Sequence, residues 1–306
     1  MCVVVAVVAL MPTANASASG PQTGALQGGP GVSSRDGKVR YVVLPDGANS
    51  VVEALQTNGG RVSSFYSLNG IWGIPTVTLR GQTDGLSRDG QFLVLADASA
   101  PSPLRSHSTF FLLSTTPVAP EQVVDLKGDF AFDALSPDNR TLYLIQHVSA
   151  NVTSYRVRAY DLTQNRLLPG AIADKRQAGW TMNGYPVARA ATPDGRWVYT
   201  LYRNDGGYPF VHALDSAHRS AVCIGVPWQQ GASQDALARA SLRLDARKLT
   251  IAVAKHARFV LDTHTFAMTK AQRRGSEAIL PGAAAAALLF LLCAGFAARR
   301  RLRTDR

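Results

Sequence analysis

The sequence predicts an all-β fold of repeated four-stranded sheets set radially as blades, followed by one membrane-spanning helix. Three observations predict it. Short acidic turns recur at Asp89, Asp138, Asp194 and Asp245, at spacings of 49, 56 and 51 residues, and a period near 50 is the length of one such blade. An apolar or alternating run follows each turn, which is the pattern of a strand. Residues 278–298 then form an uncharged stretch of 21 residues ending at Arg299-Arg300-Arg301-Leu302-Arg303; as a helix it spans roughly 30 Å, a bilayer's hydrocarbon thickness.

Taken in order, the chain opens on an apolar core at residues 3–10 and a small-x-small site, Ala14-Asn15-Ala16. Residues 1–18 therefore read as an export signal, short or started downstream of the true initiator, since a basic start is missing. Residues 19–38, rich in Gly, Ser and Pro, read as a flexible leader. Residues 39–44, 51–56 and 61–68 read as the outer three strands of a blade whose inner strand is not evident. Four fuller blades follow at 74–127, 130–172, 184–227 and 237–268. The expectation is five blades with imperfect ring closure, six or seven if irregular stretches hide strands, within an ectodomain at 39–270. A link at 271–277, the helix at 278–298 and a basic cytoplasmic tail at 299–306 complete the chain, oriented by the arginines. Leu280-Pro281-Gly282-Ala283-Ala284 lacks the Thr and Gly of a sortase signal, and Pro281 is tolerated in a first helical turn.

The turns have a local chemistry. In Leu86-Ser87-Arg88-Asp89-Gly90, Leu135-Ser136-Pro137-Asp138-Asn139 and Ala191-Thr192-Pro193-Asp194-Gly195, Asp bonds its own backbone, Pro presets φ in the last two while Arg88 replaces it in the first, and Gly or Asn accepts a left-handed conformation. Leu244-Asp245-Ala246 is a worn copy without Pro or Gly. A second signal, a strand ending in Asp with a small polar residue close behind, recurs at Asp161, Asp215 and Asp262.

These residues resemble the WD40-like, TolB-like and YVTN-type β-propeller repeats of bacterial type, whose hallmark is Ser-Pro-Asp-Gly before a hydrophobic strand. The resemblance covers residues 40–268 and implies a β-propeller; it implies no particular activity. The four aspartates Asp89, Asp138, Asp194 and Asp245 are accordingly expected to be structural.

Composition narrows the function. Of the net charge of +11, the tail after Ala298 supplies five Arg and one Asp, a share explained by topology. The remaining excess is diffuse, with no basic run interleaved with aromatics, so nucleic acid is not an expected partner. Of the three cysteines only Cys223 lies in the ectodomain, so no internal disulfide is expected there.

Motifs for nucleophile elbows, zincins or phosphate loops are absent from the sequence, and no catalytic residue, cofactor or metal is expected. His107, His147 and His256 fall near corresponding loop positions and would matter only if they converged. The longer loops gather on one face, where a rigid scaffold presents binding residues; Arg105, Trp180, Arg203, Tyr208 and Trp228 are the candidates. The expectation is a single-pass protein of the cell membrane, its propeller outside the cytoplasm, acting as a non-enzymatic interaction or sensing module for an unknown envelope protein or ligand. The alternatives are a propeller hydrolase, lactonase or lyase with a site at the channel mouth, and a glycan or peptide receptor.

Overall fold

The computed structural model describes residues 24–99, 104–150, 153–175, 182–204, 207–228 and 234–272. The expected signal, membrane helix and tail lie outside these residues, and among the described residues no helix is long and apolar enough to cross a membrane. Residues 1–269 group as one unit and 270–306 as a second, of which only 270–272 are described.

Strands follow one another as antiparallel meanders. The chain begins with β1 (Ala25–Leu26), which pairs into the second sheet, and β2 (Val32–Ser33). Sheet one continues from β2 through β3 (Val39–Asp46), β4 (Asn49–Gln56) and β5 (Val62–Asn69). Sheet two holds β6 (Trp72–Pro75), β7 (Phe92–Asp97), β8 (His107–Thr115) and β9 (Val118–Lys127), with β1 beside β6. Sheet three holds β10 (Asp129–Leu135), β11 (Thr141–His147) and β12 (Ser154–Asp161); β13 (Arg166–Leu167) and β14 (Met182–Asn183) pair with opposite ends of β12. Sheet four is β15 (Tyr185–Ala191), β16 (Trp197–Arg203), β17 (Phe210–Asp215) and β18 (Ser220–Gly225). After a short α1 (Gln234–Ala238), sheet five is β19 (Ala240–Asp245), β20 (Lys248–Val253), β21 (His256–Asp262) and β22 (Met268–Lys270). The fold is all-β and propeller-like.

The leader at 19–38 needs correction, since β1 and β2 both lie inside it. The missing inner strand of the first sheet is β2, and Ser34-Arg35-Asp36-Gly37 is a further copy of the acidic turn. In four copies one geometry recurs: the Ser or Thr hydroxyl two residues before the Asp, and the backbone N–H two residues after it, both donate to the same carboxylate oxygen. The donors are Ser34 and Lys38 for Asp36, Ser87 and Gln91 for Asp89, Ser136 and Arg140 for Asp138, and Thr192 and Arg196 for Asp194. Those bonds, led by the hydroxyl, hold the Asp138 carboxyl below its usual range. In the worn copy Arg243 stands where the hydroxyl would be, 3.9 Å from Asp245, and Ala246 takes φ 46° in place of Gly. Asp138→Ala is therefore expected to cost about 1 kcal/mol and Asp245→Ala nearly nothing, as read by urea unfolding at pH 7. A depressed carboxylate stabilises above its unfolded value near 3.8, so the difference should close as pH falls below that. Equal losses would remove the structural role from the Asp138 turn.

The second turn signal is equally regular. Asp161, Asp215 and Asp262 each accept the backbone N–H groups two and three residues on, and the residue four on has positive φ: Asn165, Arg219 and Phe266.

Sheets pack face to face through apolar clusters. One joins the first and second sheets through Val43, Val52, Leu93 and Leu113. Another joins the second and third through Phe110, Val124, Phe130 and Leu144. Two more join the third and fourth, and one the fourth and fifth. This explains why β10 is buried on both faces along almost its whole length, whereas β5 is largely exposed. Among the described residues no such cluster joins the fifth sheet to the first, and Phe65 on sheet one is 66% exposed.

A hairpin of the second sheet reaches each of the other four. Between β6 and β7 the chain leaves the sheet after Pro75, bridges Thr76 to Thr83 and turns back. Leu79 N–H donates to the Pro186 carbonyl of sheet four, and Thr83 Oγ1 donates to the Gly31 carbonyl of sheet one. Val77 joins the cluster of Phe130 and Phe132 from sheet three, and Arg80 reaches the Arg239 carbonyl that leads into sheet five. One hairpin of the second sheet thus reaches the first strands of sheets three and four and the residues just before the first strands of sheets one and five.

Candidate functional site

Three charged residues meet beside this hairpin: Asp84, Asp133 and Arg189. Each stands five residues before a turn aspartate, so they are equivalent positions of successive repeats. Arg189 donates from Nη2 to Asp133 Oδ1 and from Nη1 to the Asp133 carbonyl, and its Nε lies 3.1 Å from Thr200 Oγ1. Asp84 Oδ2 lies 3.8 Å from Arg189 Nη1. Gln82 of the hairpin clasps the Arg189 backbone, giving its amide to the carbonyl and accepting from the N–H. Burial opposes charge on Arg189, but Asp133 and then Asp84 outweigh it and raise its pKa.

The adjoining cavity, about 20 Å³, has room for about one water molecule. Val77, Phe132, His147, Tyr155, Arg189 and Tyr202 are among its walls. Burial pushes the Tyr155 and Tyr202 phenols well above their ordinary value, so both stay neutral. The rings stack on each other at 5.2 Å.

The candidate binding residues have different fates. Arg105 turns inward: Nε donates to Asp129 Oδ1 at 2.9 Å and Nη2 to the Phe130 carbonyl, while His147 Nδ1 lies 3.3 Å from Asp129 Oδ2. Burial works against the Asp129 charge, yet His147 and Arg105 outweigh it and hold the carboxyl low. Arg203, at the end of β16, sits over the Tyr185 ring at 5.0 Å. Tyr208 stands 59% exposed on the loop between β16 and β17. Trp228 packs against Phe259 at 5.9 Å and borders the core of sheets four and five. Trp180 lies outside the described residues. Asp89, Asp138, Asp194 and Asp245 lie at the opposite end of the strands from Tyr208, in the turns described above.

The three histidines stay apart. His107 begins β8 exposed, His147 is buried at the end of β11, and His256 begins β21 exposed. Among the described residues no group of three His, Cys, Asp or Glu side chains is placed to hold a metal.

Sequence reasoning passed over the central charges. Their signal was present: an Asp in Phe130-Ala131-Phe132-Asp133-Ala134 and an Arg in Val187-Ala188-Arg189-Ala190, each alone in an apolar inner strand at the same offset from its turn. Isolated opposite charges at equivalent repeat positions point to a shared axis.

No family model matches the chain, and no curated protein matches it in sequence. Solved structures do. A candidate TolB of Agrobacterium tumefaciens is 15% identical over 80% of this chain and 80% of its own, with a TM-score of 0.41. The Cps50 (Swd1) β-propeller domain of Myceliophteria thermophila is 12% identical over 86% of this chain and 68% of its own, at 0.45. A puromycin hydrolase is 13% identical, at 0.44, and only 39% of it is covered by 79% of this chain. At these scores the propeller-like reading rests on the chain's own sheets and turns.

Proposed function

We propose that this protein is a five-bladed, membrane-tethered propeller outside the cytoplasm that binds a partner through its loop face and performs no catalysis. The observation that carries this reading is the hairpin at 76–83. It occupies the centre, where a channel-mouth enzyme would hold substrate, and the cavity left beside it is about 20 Å³. Charged and imidazole groups that line that cavity are turned to partners: Arg189 to Asp133, and His147 to Asp129. The loop face, in contrast, exposes apolar side chains on three successive sheets: Leu104 at 44%, Val148 at 38% and Tyr208 at 59%. Apolar and aromatic groups held on a rigid scaffold suit protein contact. The helix at 278–298 would hold the propeller near the bilayer, with the arginines on the cytoplasmic side.

Photo-crosslinking residues placed singly at Val148, Tyr208 and Lys248 in intact cells test this. Adducts of one discrete size from Val148 and Tyr208, and none from Lys248 on the turn face, are expected. Equal capture from both faces would defeat the reading. So would ester, lactone or peptide hydrolysis by the purified chain that disappears in His147→Ala. External protease should digest the propeller in spheroplasts while residues 278–306 resist alkaline extraction; full protection or full extraction would overturn the topology.

A further inference from the structure

We propose that Cys223, His212 and Met182 form a buried site for a soft monovalent metal ion, Cu(I), between the third and fourth sheets. His212 on β17 and Cys223 on β18 are directly paired in register, and Met182 on β14 reaches them from sheet three. Cys223 Sγ lies 3.5 Å from His212 Nδ1 and 4.0 Å from Met182 Sδ. Nitrogen and sulfur donors about 2.0 and 2.3 Å from one metal ion, at tetrahedral to trigonal angles, stand roughly 3.5–4.0 Å apart. Both separations from the Cys223 sulfur are therefore those of ligands that share one ion.

The chemistry selects which ion. A thiolate, a thioether and an imidazole are soft donors suited to Cu(I). Cys223, His212 and Met182 are 8%, 2% and 2% exposed, in a cluster closed by Tyr155, Tyr202 and Phe210. Net charge in such a place is costly. Cu(I) displaces the thiol proton, which leaves to solvent, so one positive ion meets one thiolate and the site stays neutral. These three residues offer no fourth donor for a tetrahedral divalent ion.

The surroundings fit this use. Asp174 Oδ2 accepts the Cys223 backbone N–H at 3.0 Å, fixing the strand that carries the sulfur. His212 turns Nδ1 toward the Cys223 sulfur, so that nitrogen is the one placed to ligate.

The test is anaerobic Cu(I) titration of the full chain in detergent against bicinchoninate. Cys2 and Cys293 also carry thiols, so a Cys2→Ser/Cys293→Ser chain is compared with one that adds Cys223→Ser. The first is expected to hold one Cu(I) that the second does not, with absorption spectroscopy giving sulfur at about 2.3 Å and nitrogen at about 2.0 Å. Met182→Leu, which conserves volume, should weaken retention at least about tenfold. Equal copper content with and without Cys223, in chains of matching near-ultraviolet dichroism, would overturn the site. If Cys223→Ser does not fold, unchanged affinity in Met182→Leu overturns it instead.

Discussion

Replacing Arg189 with Met should lower the unfolding free energy by about 3–5 kcal/mol, the cost of stranding one member of a buried ion pair. Arg189 and Asp133 each keep only 4% of the side chain exposed. Without the guanidinium, the Asp133 carboxylate loses the donor that neutralises it and the hairpin loses the Arg189–Asp84 attraction. The companion experiment is Arg189→Met with Asp133→Leu. Removing both charges leaves only Asp84, whose side chain is 37% exposed, without its cation, and apolar replacements of buried pairs are often close to neutral, so the double variant should recover most of the loss. Urea unfolding followed by tryptophan fluorescence reads both. A single-variant loss below about 1 kcal/mol would mean that water reaches the pair, and that the centre is more open than its burial implies.

Gly31→Ala should cost about 2–5 kcal/mol, whereas Gly29→Ala, two residues earlier, should cost about 1–2 kcal/mol. Both glycines have positive φ, +63° and +67°, so both substitutions carry the left-handed penalty. Only at Gly31 is there also no room. A Cβ there would run into the Tyr41 carbonyl oxygen and approach Val42 Cγ1 to 2.9 Å, whereas nothing lies within 4 Å at Gly29. The Gly31 carbonyl also receives the Thr83 hydroxyl, so displacing it loosens the first sheet from the central hairpin. Thermal unfolding of the two variants side by side decides the matter. Equal losses would show that β2 moves aside freely and does not anchor sheet one.

Gly31 also marks where reading the sequence went astray. Ser34-Arg35-Asp36-Gly37 carries the same signal as Ser87-Arg88-Asp89-Gly90, but it sits in a Gly-, Ser- and Pro-rich stretch whose composition argued for a leader. β2 has only two residues, too short for alternation to register. Elsewhere the turns were legible because their chemistry is local. A hydroxyl, a carboxylate and a residue tolerant of positive φ lie within five positions, and the same bonds recur wherever the letters do. Trp228 and Arg105 were legible as loop residues but not as to direction: one packs on Phe259 and the other holds Asp129.

By itself, then, the sequence determined the turn positions, the strands that follow them and their grouping into successive four-stranded sheets, all consequences of period-two patterning and short-range hydrogen bonding. Only the tertiary structure decided what meets at the centre. Asp84, Asp133 and Arg189 are about 50 residues apart in sequence yet share one charge balance, and residues 76–83 carry no acidic-turn signal to mark a hairpin. Their juxtaposition depends on register between sheets that are not neighbours in the chain. No local preference encodes it; it follows from packing successive sheets against one another and from the cost of leaving any charge there alone.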